Sequence, residues 1–171
     1  MKILAIETSC DETAAAVIEA TEKDVKVELL SNVVSSSIKL HAKTGGIIPE
    51  TAARQQIKYI IPVVKKALSS AKTKLPDIDS LAVTVGPGLI GSLLVGVETA
   101  KTLAYVLNKP IVPVNHLIGH IYANFVAVDG RQNAVSFPLI ALIVSGGHTD
   151  LVLMKKHGSI KWLGGTRDDA A

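Results

Sequence analysis

Short runs of Val, Ile, Leu and Ala, broken by polar turns, set the rhythm of this chain. Lys2 to Thr8 reads as a buried strand and Thr13 to Glu19 as a second, and the link SCDE between them is short enough to predict a hairpin. Val25 to Val34 alternates and predicts a third strand, followed by the polar, glycine-bearing loop SSSIKLHAKTGGIIP. Pro49 to Ala71 has helical spacing, and Pro62 in its middle predicts a kink or a restart. Leu81 to Val85 is a short apolar strand. After GPG comes a long helical stretch, Leu89 to Leu107, closed by Asn108 and Pro110. Ile111 to Val114 predicts a fifth strand, and Asn115 is placed to cap a helix carrying His116 and His120. Phe137 to Ser145 and Thr149 to Lys155 predict a further hairpin. The expected order is β-β-β-α-β-α-β-α, then β-β.

The chain repeats itself. LAIETSCDETAAAVI (4–18) and IALIVSGGHTDLVLM (140–154) align at an offset of 136, matching Ser9 with Ser145 and Thr13 with Thr149. Each is a strand, a tight polar turn and a strand, and the second copy follows a complete β₃αβαβα unit. The expectation is an α/β protein of the actin-like/ribonuclease H-like architecture. A first domain covers residues 1–133, and a second, truncated one begins at 137 and runs to 171. In that architecture paired turns face each other across a cleft, where backbone N–H groups and Ser or Thr hydroxyls cradle anions.

Composition agrees with a packed α/β chain. Of the 171 residues 48% are hydrophobic and 19% charged, enough to bury a core and too few charges for disorder. The single cysteine, Cys10, excludes an internal disulfide. The apolar runs are too short for a signal segment or a membrane span, so a cytoplasmic location is expected. A net charge of +3, with lysines spread among acids, is compatible with an RNA partner but is weak evidence for one, and ordinary solvated lysines account for it better.

Several motifs carry candidate chemistry. GPGLIG (86–91) matches G-x-G-x-x-G, but the strand before it follows three antiparallel ones, and the next strand ends in Asn115 and His116 with no acid for a ribose. Gly88 and Gly91 then serve a tight turn and close helix packing, or a phosphate approaches the helix N-terminus. GVETAKT (96–102) lacks the glycine before the lysine of a Walker loop and lies inside a helix. Asp11 and Glu12 at the SCDET tip are either solvated turn acids or groups for magnesium, phosphate-water or general-base work. SGGHT (145–149) is either a Gly-Gly hairpin or a backbone nest for a phosphate or carboxylate, with His148 a surface residue or a donor. His116 and His120, one helical turn apart, are either an accident of spacing or half of a metal site whose carboxylate comes from Asp11, Glu12 or elsewhere. HLIGH lacks the glutamate of HExxH and is no zinc-peptidase signature.

Together IETSCDET (6–13), KLHAKTGGIIPE (39–50), GPGLIGSLLVG (86–96), HLIGH (116–120), LIVSGGHTDL (142–151) and LGGTRDDAA (163–171) stand in one order. They resemble the bacterial tRNA threonylcarbamoyl-transferase family, once labelled O-sialoglycoprotein endopeptidase, over essentially the whole chain. The resemblance implies two actin-like domains and transfer of a threonylcarbamoyl group from threonylcarbamoyl-adenylate to N6 of the anticodon-adjacent adenosine in ANN-reading tRNAs. It implies Fe(2+) or Zn(2+), one per full-length subunit, held by His116, His120 and a distant aspartate. Ile143, Val144, Ser145, Gly146 and Gly147 become the substrate-contacting strand and turn. Asp11 and Glu12 become the catalytic hairpin acids, and His41 and Glu50 fall in the long loop. The implied partners are tRNA, a smaller paralogous subunit and an ATPase subunit, with Mg-ATP in the complex. The first domain pairs with the paralogue through the helices starting at Pro49 and Leu89, and a chain without that partner is expected to self-pair there. The family pattern continues past DDAA to a GEAFDK-type segment, a PGG loop, an asparagine and the third metal ligand. The expectation is therefore a truncated piece, inactive alone and weak in metal binding. The other readings are a non-catalytic interaction paralogue, against which HLIGH argues, and an actin-like ATPase, which would hydrolyse nucleotide without tRNA.

Overall fold

A computed structural model describes residues 1–20, 27–36, 48–127, 135–145 and 149–167. Five strands form one sheet: β1 (Lys2–Glu7), β2 (Glu12–Ala20), β3 (Val27–Ser36), β4 (Ser80–Gly86) and β5 (Ile111–Asn115), in the order β3-β2-β1-β4-β5. The first three are antiparallel, as hairpin links require, and β4 and β5 join parallel to β1 and to each other through helical crossovers. This is the actin-like/ribonuclease H-like topology.

Helices α1 (Pro49–Ser70) and α2 (Ile90–Leu107) pack on one face of the sheet. Alternation puts Leu4 and Ile6, Ala15 and Val17, and Leu81 and Val83 on that face, where they meet Ile60, Val63, Val64 and Ala67 of α1 and Ala100 and Ala104 of α2. α2 is as long and apolar as a membrane span; it lays one face of small residues (Ser92, Gly96, Ala100, Ala104) against the rest of the fold and leaves apolar residues on its other face exposed. Pro62 does not restart α1, which runs on as one helix of 22 residues. Lys58 and Pro62 both lie on its exposed side, so the carbonyl that loses its partner at Lys58 can turn to water.

Asn108 ends α2 in the left-handed conformation, at φ 52°, as the Asn-x-Pro stop predicts. Asn115 caps α3 (His116–Tyr122) by accepting from the backbone N–H groups of Leu117 and Ile118 at 3.0 and 3.2 Å.

A second, antiparallel sheet holds β6 (Leu139–Val144), β7 (Thr149–Lys156) and β8 (Ser159–Gly165). Strand β8 was not expected: SIKWLGG is exposed at most positions and shows no clear alternation. It is pinned by the Trp162 Nε1–H, which donates to Asp150 Oδ1 at 2.8 Å. The two hairpins share one register. Ile3↔Ile18, Leu4↔Val17, Ala5↔Ala16, Ile6↔Ala15 and Glu7↔Ala14 become, 136 residues on, Leu139↔Met154, Ile140↔Leu153, Ala141↔Val152, Leu142↔Leu151 and Ile143↔Asp150. Helix α3 packs on this second sheet, Ile121 joining Val152 and Met154 in a separate core.

Candidate functional site

The turn between β1 and β2 is fixed from behind by both large helices. The Gln56 side chain of α1, 1% exposed, points its Nε2 at the carbonyl oxygens of Thr8, Cys10 and Glu12, at 3.4, 3.0 and 3.1 Å. From α2 the Ser92 hydroxyl donates to the Cys10 carbonyl at 3.1 Å, and Leu89, which caps that helix, donates its N–H to the Ser9 carbonyl at 2.7 Å. Thr8 donates its hydroxyl to the Ser92 carbonyl at 2.8 Å and accepts from the Gly96 N–H at 3.2 Å. A Cβ on Gly88 would stand 2.5 Å from the Ser9 carbonyl oxygen. Gly88 of GPGLIG thus admits this turn, and the β4-to-α2 link gives no support to dinucleotide binding. Glu12 is exposed and Asp11 half-buried at the tip. Burial first, and then the Asp11 charge, push the Cys10 thiol up from its ordinary range.

One step back along β1, Glu7 turns toward α3. Its Oε1 accepts from the Ser9 N–H and its Oε2 from the Thr84 hydroxyl. His116 Nδ1 lies 3.3 Å from Glu7 Oε2 and 3.2 Å from Ser9 Oγ. Burial alone would raise the Glu7 carboxyl, but the hydrogen bonds from Ser9 and Thr84, with the His116 charge, outweigh it and hold Glu7 below its ordinary value. With Nδ1 engaged, His116 directs Nε2 toward His120, whose own Nε2 is 3.1 Å away, the rings edge to face.

That spacing suits a shared ion. Two nitrogens at metal-bond length on a tetrahedral centre stand roughly 3.3 Å apart, and a His–carboxylate contact behind one ligand is the usual support of such sites. The pair therefore fits a borderline metal such as zinc or iron. Among the described residues, however, no third His, Cys, Asp or Glu groups with it. Asp11 and Glu12, expected as possible sources of the carboxylate ligand, do not complete the site; it is Ser9 of their turn that touches His116.

His116 and His120 line a cleft of about 540 Å³ whose far wall includes Ile143, Val144 and Ser145. This brings the histidine pair and the second hairpin strand together. Asp11 and Glu12 do not line it. Gly146, Gly147, His148 and His41 lie outside the described residues. Glu50 heads α1 and pairs with Arg54 at 2.7 Å on the surface, away from the cleft lining.

Sequence reasoning overlooked Glu7, Gln56 and Thr84. Glu7 left a signal: an acid closing an apolar strand, KILAIE, needs partners wherever it is half-buried. Gln56 left none, because a glutamine in an amphipathic helix ordinarily faces water.

The family model described as tRNA N6-adenosine threonylcarbamoyltransferase matches residues 28–171. A protein of that name from Thermomicrobium roseum is 54% identical over 173 residues, covering 100% of this chain and 46% of the relative. Another from Dehalococcoides mccartyi is 54% identical over 171 residues, covering 100% of this chain and 50% of the relative. The chain spans about half the length of the curated relatives it matches. Among solved structures, YeaZ from Pseudomonas aeruginosa is similar with a TM-score of 0.58 at 17% identity, covering 99% of this chain and 66% of that one. The Aquifex aeolicus PPX-GPPA enzyme follows at 0.50 and 13%, covering 97% of this chain and 51% of that one. At such identities these structures speak for the fold alone.

Proposed function

The chain belongs to the tRNA N6-adenosine threonylcarbamoyltransferase family, and on that premise we propose that it carries the metal-binding half of a site transferring threonylcarbamoyl from threonylcarbamoyl-adenylate to N6 of the anticodon-adjacent adenosine in ANN-reading tRNAs. The observation that supports this reading best is the His116–His120 pair facing Ile143, Val144 and Ser145 across one cleft. His116 and His120 would hold Fe(2+) or Zn(2+). Such an ion, when bound, supplies Lewis acidity and orients the carbamoyl-threonine end.

The chain's own residues bind and orient. In the transfer, the adenosine N6 forms a bond to the carbamoyl carbon, the bond from that carbon to the adenylate oxygen breaks, AMP leaves, and N6 gives up a proton. An exocyclic amine is a weak nucleophile, so positioning contributes most. The Ser145–Gly146–Gly147 segment is proposed to hold a phosphate or carboxylate through hydroxyl and N–H groups. Asp11 and Glu12 stay proposed as catalytic acids of the first turn, acting outside the cleft that the histidines line.

The matched register of the two hairpins supports a duplicated architecture, with a first domain over 1–133 and a second from 137. An exposed apolar stripe, Ile90, Leu94 and Tyr105 of α2 beside Ile57 and Ile61 of α1, supports docking of the smaller paralogous subunit, with self-pairing in its absence. The ATPase subunit with Mg-ATP, and a cytoplasmic setting, complete the proposal.

The test uses the whole gene product with threonylcarbamoyl-adenylate and tRNA. Modified adenosine should form, and His116→Ala or His120→Ala should lose both bound metal and transfer. Unchanged metal content in both variants overturns the metal assignment. Nucleotide hydrolysis without tRNA and without transfer replaces the reading with an actin-like ATPase.

A further inference from the structure

The histidine pair is not held by its own helix alone. His116 is the first residue of a seven-residue helix, where its χ angles are restrained only by what it touches. What it touches is the end of β1, more than one hundred residues earlier in the chain. Glu7 Oε2 and Ser9 Oγ lie 3.3 and 3.2 Å from Nδ1. The Glu7 carboxylate is itself fixed, taking the Ser9 N–H on one oxygen and the Thr84 hydroxyl on the other. A carboxylate can only accept, so the contact requires the proton on Nδ1, which in the neutral imidazole leaves the Nε2 lone pair free. The Nε2 atom is the one that stands 3.1 Å from His120 Nε2.

We propose that Glu7 is a positioning residue, holding His116 in the Nδ1–H tautomer with Nε2 turned to the metal position shared with His120. Ser9 is the lesser contact, because a hydroxyl can donate or accept and so selects no tautomer. The position equivalent to Glu7 in the second hairpin, at the 136 offset, is the apolar Ile143, so only the first hairpin offers a carboxylate at this register position. The proposal rests on the reading of His116 and His120 as ligands for its consequence, but not for the tautomer itself.

The experiment is long-range proton–nitrogen NMR on the metal-free whole gene product with labelled histidine, at a pH above the imidazole range, followed by titration with zinc alone and with cobalt alone. His116 should show the Nδ1–H tautomer. Glu7→Gln, which keeps shape but can offer an N–H to Nδ1, should populate the Nε2–H form. It should also weaken zinc and cobalt binding about 10- to 100-fold, the usual effect of removing such support, and alter the cobalt absorption bands. Ser9→Ala should change the tautomer little, and Glu98→Gln, at an exposed carboxylate on α2, should change nothing. An Nε2–H tautomer in the unaltered chain overturns the proposal, even if Glu7→Gln fails to fold. So does an unchanged tautomer in a folded Glu7→Gln. If the tautomer shifts but neither chain binds metal, Glu7 keeps its positioning role and the metal reading falls.

Discussion

Glu7 and Ile143 occupy the same place in two hairpins of matched register, Glu7 paired with Ala14 and Ile143 with Asp150. The equivalence of position sets off a difference in chemistry. From the first hairpin a carboxylate reaches His116; from the second a branched apolar side chain walls the cleft that His116 enters. At this one register position the two hairpins thus present a carboxylate and an apolar side chain to the same helix, α3. That helix bridges them, its histidines on the cleft and Ile121 in the core of the second sheet.

Because α3 is short, its cap should matter to the site. Asn115 accepts from two backbone N–H groups, and Asn115→Ala should cost about 1 kcal/mol of stability. Chemical unfolding with unchanged slope checks this. Zinc affinity should fall as well, because both imidazoles ride on the capped turns. A variant with full stability and full affinity would show that packing of Ile121 alone defines α3.

Three glycines of the 86–96 segment should behave differently on conversion to alanine. A Cβ on Gly96 would meet the buried Thr8 Oγ1 at 2.4 Å, and one on Gly88 the Ser9 carbonyl at 2.5 Å. Thr8 is tied to Ser92 and Gly96 and cannot swing aside cheaply. Gly88→Ala and Gly96→Ala should each cost roughly 1–3 kcal/mol as overpacking. Gly91→Ala would only touch the Ala53 Cβ at 3.5 Å, and inside a helix it should be neutral or gain up to about 1 kcal/mol. Equal melting temperatures across the three would refute this ranking. The expectation that Gly91 serves close packing is accordingly weaker than that for Gly88.

Much of the fold was legible because alternation and turn chemistry act locally. The first five strands, the Asn115 cap and the Asn108 stop each follow from a few adjacent residues. What stayed hidden depends on distant parts of the chain. SIKWLGG becomes β8 by pairing along β7, with the Trp162 indole donating to Asp150, neither of which its own pattern announces. Gln56 looks like a solvent-facing glutamine until the turn it clamps is folded beneath it. HLIGH pointed to the histidines, but their support from Glu7 comes from the opposite end of the sheet's sequence, where no spacing rule reaches. The hairpin tip meets α3 through Ser9, and among the described residues neither Asp11 nor Glu12 groups with the two histidines.

Cys10 should react slowly with alkylating agents at neutral pH, since burial and the neighbouring Asp11 charge both favour the thiol over the thiolate. Asp11→Asn removes the second cause and leaves the first. The thiolate fraction, and with it the rate of iodoacetamide labelling, should then rise a few-fold without reaching that of a free thiol. Mass spectrometry over a time course gives the rate. A rate that is unchanged or lower in Asp11→Asn would mean that the carboxylate exerts no field on the sulfur.

The sharpest stability test concerns Gln56. Its amide has two N–H groups for three carbonyls, which explains two short contacts, 3.0 and 3.1 Å, and one of 3.4 Å. Gln56→Leu fills the same volume but strips a donor from the buried Thr8 carbonyl and from the half-buried Cys10 and Glu12 carbonyls, Cys10 keeping Ser92, at a cost of about 1–3 kcal/mol. Gln56→Glu is worse at neutral pH, since a carboxylate would aim negative oxygens at carbonyl oxygens. Its folded-state pKa would be raised by burial and repulsion, so protonation favours the fold. The stability deficit of Gln56→Glu should therefore shrink as pH falls through the raised value, while that of Gln56→Leu should not follow it. Urea midpoints at neutral and mildly acidic pH separate the two. Gln56→Leu as stable as the parent chain would mean that α2, through Ser92 and Leu89, holds the turn without help from α1.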